Sequence, residues 1–410
     1  MKKILWLCNT VLPELFSRLG VYNVKEGWLI GISQELRKQN DIEFHYVCPQ
    51  VKEKRIVSIK KEAIHFHCFY AKYDNLYTIE KDVRDQIGKI IRVVQPDIIH
   101  IFGTEMPHTV ACVESVEEKE KIVISIQGLV SEYAKYYLNG ISYSAYLNGC
   151  FYNGRYQTIW GQYKEFCKRA ENEIRAIKKV KHVIGRTEWD QACTNIINSN
   201  CKYHYCSETL RDCFYGKKWD IGKIDRYSVL VSQGDYPIKG LHNLLDALPY
   251  VVERFPKTKI YIAGVNLLLN TGDPYAKYIR KMIVRNNLEK HLFFLGMLDA
   301  KRMCRYLLKS HLTVMPSNIE NSPNSIGEAM LVGTPVVASF VGGIPSIVQN
   351  EREGLLYQPG SAEMLSHSIC KIFENDLLAN TLSESARKRA EILYDRTENM
   401  RQLLNIYNCL

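Results

Sequence analysis

Residues 314–345 read VMPSNIENSPNSIGEAMLVGTPVVASFVGGIP, and the fold follows from how that run is parsed. Its first residues close a strand, and Gly327 to Val332 reads as a helix that Gly333 stops. A small-residue loop, Asn321 to Ser325, leads into the helix, and Asn324 or Ser325 is placed to cap it. The first amides of a helix have no partner within it and carry partial positive charge, so this end suits an anion. A second strand, Pro335 to Ser339, follows and leads to Gly342-Gly343, where backbone can approach a ligand closely. Glu320 and Glu328 flank the loop, seven residues lying between them. Carboxylates suit sugar hydroxyls better than phosphate, so the chemistry indicated is a sugar joined to a phosphate.

The stretch resembles the donor site of glycosyltransferase family 4, the retaining GT-B enzymes of the bacterial surface-polysaccharide type. The shared elements are Glu320, the small-residue loop, Glu328-Ala329-Met330, Gly333-Thr334-Pro335-Val336-Val337-Ala338 and Gly342-Gly343-Ile344-Pro345. The resemblance implies an α/β GT-B fold: two doubly wound, Rossmann-like domains facing a central cleft, with a nucleotide sugar on the second. It implies Glu320, Lys239 and Gln127 as the catalytic set. The donor side would be Gln233, Gly264, Met297, Leu298, Asn324, Ser325, Ile326, Gly327 and Glu328, with Glu320 on the sugar ring and Glu328 on the ribose hydroxyls. Lys239 and the amides at Asn324–Gly327 and Gly342-Gly343 would stabilise the departing diphosphate. Three positions depart from the family pattern: Gln127 stands where a His is frequent, Gln233 where an Arg is usual, and Ser346 where a Glu is usual. Glutamine carries neither a proton away nor a charge.

Working outward, strands and helices alternate along the whole chain, the pattern of parallel sheets. The chain's 410 residues fit two domains of about 200 residues each. Boundaries are expected at 1–215, an acceptor-binding domain; 216–225, a polar hinge; 226–385, the nucleotide-sugar domain; and 386–410, one long helix crossing back. Gly20, near the start of a helix from Val24 to Lys38, and Glu105 and His108, just past the strand Asp97–Phe102, lie where open α/β sheets bind ligands; they are the acceptor-side candidates. His65 and His67 share one face of a strand, with no third metal ligand nearby. From Tyr133 to Tyr163 the chain turns aromatic and Gly/Asn/Ser-rich, which fits a lid, a surface resting on lipid headgroups, or rings packed on the adjacent domain.

Composition narrows the classes. No apolar run approaches the roughly 18 to 20 residues of a membrane span. The apolar residues after Met1-Lys2-Lys3 stop short of the ~7 to 15 of a signal peptide and read as a buried strand. Thirteen cysteines without a Cys-x-x-Cys pair suit reduced core thiols of a cytoplasmic protein. The formal net charge of +10 comes without a long basic tract, so no nucleic acid is expected; an anionic membrane surface or a diphosphate substrate suits it. No Asp-x-Asp occurs, so neither a metal nor another cofactor is expected.

The expected function is sugar transfer from a nucleotide diphosphate sugar, UDP before GDP, to a glycan or polyprenyl-linked acceptor in cell-surface polysaccharide synthesis. The setting would be the cytoplasm or the inner face of the membrane. A GT-B nucleotide-sugar 2-epimerase and a catalytically silent nucleotide-sugar-binding subunit are the alternatives.

Overall fold

The computed structural model describes residues 1–19, 27–71, 81–152 and 154–410. The expected acceptor-side Gly20 lies outside the described residues. The chain falls into two compact units: the first is Met1–Glu132, Glu165–Thr209 and Asp395–Leu410, the second Tyr133–Lys164 and Leu210–Tyr394.

In the first unit the strands are β1 (Lys2–Leu7), β2 (Ile42–Gln50), β3 (Val57–Lys61), β4 (Ile64–Tyr70), β5 (Ile98–Phe102) and β6 (Ile122–Ser125). A hairpin of the second unit, β7 (Cys150–Tyr152) and β8 (Arg155–Gln157), comes next, before β9 (His182–Gly185) and β10 (Lys202–Tyr205). The first sheet runs β10-β9-β6-β5-β1-β2-β4-β3, parallel except for the β3–β4 pair. Side chains alternate across a strand, and β1 shows the result. Ile4 and Trp6 join one core with Phe44, Tyr46 and Phe66, while Leu5 and Leu7 join the other with Ile87, Ile90 and Ile124. A strand buried on both faces must be apolar throughout, as IIHIF of β5 nearly is.

The exception, His100 of β5, is answered from the end of the chain. Residues 386–410 do not form one helix: Asp376–Leu393 ends, and a new helix, Arg396–Asn408, is capped by Asp395, whose side chain accepts from Glu398 N. The cap starts a separate helix, whose Leu403 and Tyr407 enter the first core. There Tyr407 Oη accepts from Trp6 Nε1 at 2.8 Å and sits 2.6 Å from His100 Nδ1, whose Nε2 is 2.6 Å from Ser125 Oγ. Burial pulls the His100 pKa down to about 3, so the ring bridges as a neutral imidazole.

The second unit carries β11 (Asp225–Val231), β12 (Lys259–Ala263), β13 (Leu292–Gly296), β14 (Ser310–Met315), β15 (Val336–Ser339) and β16 (Leu355–Tyr357). They form a parallel sheet ordered β13-β12-β11-β14-β15-β16. Strand order therefore reverses between β11 and β14, a switch point at which loops diverge and leave a crevice at the carboxyl ends of the strands.

Two boundary expectations change. Segment 216–225 is anchored in the second unit: buried Trp219 donates its amide to Val332 O and its indole N–H to Ser310 O, each at 2.8 Å. The aromatic run also belongs there, because Asn139 O accepts from His242 Nε2 and Asn318 Nδ2, and Gln162 Nε2 donates to Asp273. Polar backbone ties of that kind are invisible to a count of aromatic residues.

Tyr407→Phe leaves the Trp6 indole N–H and His100 without their shared oxygen in a dry core. The expected loss is about 1–3 kcal/mol in urea denaturation, with a near-unchanged far-ultraviolet dichroism spectrum.

Candidate active site on the second unit

The carboxyl ends of β11 and β14 carry Lys239 and Glu320, and the structure joins them: Lys239 Nζ donates to Glu320 Oε1 at 2.6 Å. Ser317 Oγ donates to the same oxygen at 3.0 Å. Among the described residues Oε2 of Glu320 receives no hydrogen bond, so this oxygen is available to a ligand hydroxyl. Burial lowers the Lys239 pKa, but Glu320 and Tyr236 outweigh it and the net shift is upward. The ammonium therefore stays charged at neutral pH, held by both Glu320 and Tyr236.

Backbone fixes both partners. Gly240 has φ +66°, and a Cβ there would come within 1.9 Å of Pro316 O, so the turn after Lys239 lies directly on the chain leading to Glu320. Asn318 staples the same two loops, its amide donating to Ile238 O at 2.8 Å and its side chain to Pro237 O and Asn139 O. Gly342, φ +50°, sits against Glu320 O, and the Gly343 amide donates to that carbonyl at 3.0 Å. This corrects one expectation: the Gly343 N–H orients Glu320 and does not face a phosphate.

The helix of the opening motif is Asn324–Val332, and its N-cap is Pro323, without a side-chain cap. Asn324 and Ser325 occupy the first two helical positions, not the cap, because the proline already sets the extended backbone there. Ile326 N donates to Pro323 O at 3.0 Å, which removes one of the amides expected for an anion. Ile326 and Gly327 are buried, and Gly327 lies where the Tyr394 ring leaves no space for a side chain.

Glu328 is engaged differently from its expected role. Arg211 grips it with two parallel bonds, Nε to Oε1 at 2.6 Å and Nη2 to Oε2 at 2.7 Å. Burial pushes the Glu328 pKa up and the guanidinium holds it down, with burial the larger influence. No spacing in the sequence signals this partner, since 116 residues intervene. Gln233 turns its amide toward Asp235 Oδ2 at 3.4 Å, and Asp235 Oδ1 accepts the Val265 amide at 2.8 Å beside Gly264. Past β13, Met297 is 44% exposed while the Leu298 side chain is buried, so Leu298 can present only backbone. Asp235, Ser317, Asn318 and Arg211 are thus the residues that motif reading missed; the first three adjoin motif positions, and Arg211 does not.

The first unit holds the remaining candidates. Gln127 follows β6 and lines a small cavity with His100, Ser125, Arg186 and Glu208, the last two forming a buried ion pair at 2.7 Å. Glu105 is paired with Arg169 at 2.6 Å. His108 is buried against Phe69, and burial lowers its pKa to about 4, so it is a neutral core residue. Nearby, Glu173 receives Thr104 Oγ1, Val130 N, and both N and Oγ of Ser131 at 2.5–2.9 Å. His67 lies 3.1 Å from His45 and 3.0 Å from Ser58 Oγ, and among the described residues no cluster of three or more His, Cys, Asp or Glu is arranged for a metal ion. Among them, too, no helix is long and apolar enough to cross a membrane.

Residues 217–389 match the family model described as glycosyl transferases group 1. An uncharacterized glycosyltransferase of Methanocaldococcus jannaschii is 27% identical over 214 residues, 50% of this chain and 57% of that protein. The poly(ribitol-phosphate) alpha-N-acetylglucosaminyltransferase of Staphylococcus aureus is 27% identical over 173 residues, 42% of this chain and 33% of that protein. The chain spans about half the length of the curated relatives it matches. The crystal structure of Anabaena HepE in complex with UDP and glucose superposes with a TM-score of 0.71 at 18% identity, covering 100% of each chain. The fold is GT-B.

Two outcomes test this description. Arg211→Met strands a buried carboxylate and is expected to cost about 3–5 kcal/mol in denaturant, much of it recovered when Glu328→Leu is added. Burial raises the Glu173 pKa from 4.5 to about 7. Between those values the folded state binds more protons than the unfolded one, so this group's contribution to stability is full at the acid end and is lost as pH rises through 7. The pH slope of stability is therefore expected to flatten in Glu173→Gln, and an unchanged slope contradicts the raised pKa.

Proposed function

We propose that the chain transfers a hexosyl group, with retention, from a nucleotide diphosphate sugar to a glycan or polyprenyl-linked acceptor. The observation that carries the reading is the Lys239–Glu320 pair at the switch point of the second unit, within the segment matching glycosyl transferases group 1. Lys239 sets its positive charge beside the departing diphosphate, and Glu320 Oε2 accepts a sugar hydroxyl. The two therefore act on opposite halves of one donor while each holds the other in place. Positive charge placed where negative charge develops favours the transition state over the ground state.

The Arg211 grip makes Glu328 a rigid acceptor for ribose, using lone pairs the guanidinium leaves open. UDP is the proposed base, in keeping with the nucleotide in the HepE structure. With Gln233 in place of a cation, diphosphate neutralisation falls to Lys239 and the first-turn amides of Asn324–Val332, and no metal is proposed. The acceptor hydroxyl attacks the face that the nucleotide leaves. Glu105 and a neutral His108 are weaker candidates for the acceptor, since they are already engaged in pairing and packing, and Gln127, the third of the catalytic set, cannot carry a proton away. The proposed setting is cell-surface polysaccharide synthesis, in the cytoplasm and at the inner face of the membrane, and the S. aureus relative's printed activity supports that direction.

The test is nucleotide release from UDP-, GDP- and ADP-sugars, in chelator, with and without lipid extract. Release should rise with the extract, survive chelation, and fall by at least a hundredfold in Glu320→Ala and in Lys239→Ala, a loss of about 2.7 kcal/mol or more of transition-state stabilisation. Binding of nucleotide sugar without release, under every acceptor supplied, would falsify the transferase reading.

A further inference from the structure

The helix Pro274–Arg285, which leads from β12 toward β13, sets Lys277, Lys281 and Arg285 four residues apart, hence on one face. That face forms one wall of a cavity whose other wall is the aromatic segment, through Ser142, Ser144 and Asn148. Among the described residues no carboxylate lines it. Lys277 Nζ donates to Asn148 Oδ1 and Gly149 O, each at 2.9 Å, so it both holds the wall and charges it. Arg285 is partly neutralised by Asp246 at 3.0 Å; Lys281 is exposed and has no ion pair among the described residues.

Three cations, one of them paired with Asp246, line the cavity with two hydroxyls and a side-chain amide, and such a lining suits an anion. The rim says which anion. Around the cavity the same segment turns apolar side chains to solvent: Tyr143 is 83% exposed, Leu147 65%, Phe151 76% and Tyr156 55%. Tyr156 Oη receives Gly149 N and donates to Leu147 O, which fastens the β7–β8 hairpin to the cavity wall, and Phe151 packs on Tyr156 with ring centroids 5.1 Å apart. A soluble phosphate has no use for such a rim, whereas a bilayer interface takes aromatic rings at headgroup depth and lysines against anionic phosphates.

We propose that this cavity and its rim seat the second unit on a membrane, with the phosphate headgroup of an anionic lipid held by Lys277, Lys281 and Arg285. The inference gives a place to the membrane contact proposed above. Its test reads vesicle binding without sugar transfer, so either can fail while the other stands.

The full chain is sedimented with vesicles of phosphatidylcholine alone, or with about a third of the lipid replaced by phosphatidylglycerol. Binding is expected only to the second kind and should weaken with salt. Lys281→Glu should weaken it by about tenfold or more, on the basis of roughly fivefold per charge at an anionic surface. Tyr143→Ser should weaken it severalfold, while Lys388→Glu, the same charge change on the helix Asp376–Leu393, should change it less than twofold. Both altered rim residues are exposed, and circular dichroism verifies the fold. Equal binding to both vesicles, equal loss in Lys281→Glu and Lys388→Glu, or displacement by inorganic phosphate at millimolar concentration would each overturn the proposal.

Discussion

A lysine and a glutamate at 2.6 Å, held at the ends of two adjacent parallel strands, set the terms for the rest of the second unit. Two charges taken partly out of water are stable only when each has its partner and the remaining donors and acceptors are placed. The surrounding chain supplies that placement through backbone: Gly240 against Pro316, Asn318 across both loops, Gly343 onto Glu320 O. A site built from backbone contacts tolerates little displacement, and a small displacement is what separates a near-attack geometry from an unproductive one.

The legible part of this fold was whatever repeats or has a local chemical signature. Alternation of strands and helices announced two parallel sheets, and Gly333, Pro335 and the Gly342-Gly343 pair marked the turns of the donor motif within a residue or two. Glu320 and Lys239 were singled out by the small-residue loop after the one and Gly240 after the other, and the structure pairs them. What stayed hidden depends on partners distant in sequence. Nothing near Glu328 predicts Arg211, nothing near Trp6 predicts Tyr407, and the aromatic segment, expected within 1–215, belongs to the second unit through Asn139 O, which accepts from His242 and Asn318. His108 shows the opposite failure: a titratable residue past a strand end looked functional, yet Phe69 and burial make it core.

The two glutamates of the opening motif illustrate how one residue type takes different duties from its surroundings. Glu320 shares its lysine along one oxygen and keeps the other open. Glu328 is gripped across both oxygens by a planar guanidinium, a geometry only arginine provides. The first is arranged to respond to a ligand, the second to stay still. Spacing alone had made them look equivalent.

The first unit is assembled from three separated stretches of chain, the last being Asp395–Leu410, whose Tyr407 closes the Trp6–His100 network. During synthesis Met1–Glu132 and Glu165–Thr209 therefore wait for Asp395–Leu410, with the larger part of the second unit made in between. Strand β1 can pair early, but its core lacks Leu403 and Tyr407 until those residues have been made. Long loops cost closure entropy before such contacts reward it, so the folding order runs against the order of synthesis. A nascent chain of this design exposes Trp6, Phe44 and Phe66 longer than their position in the sequence suggests, and that interval is when it is most exposed to aggregation.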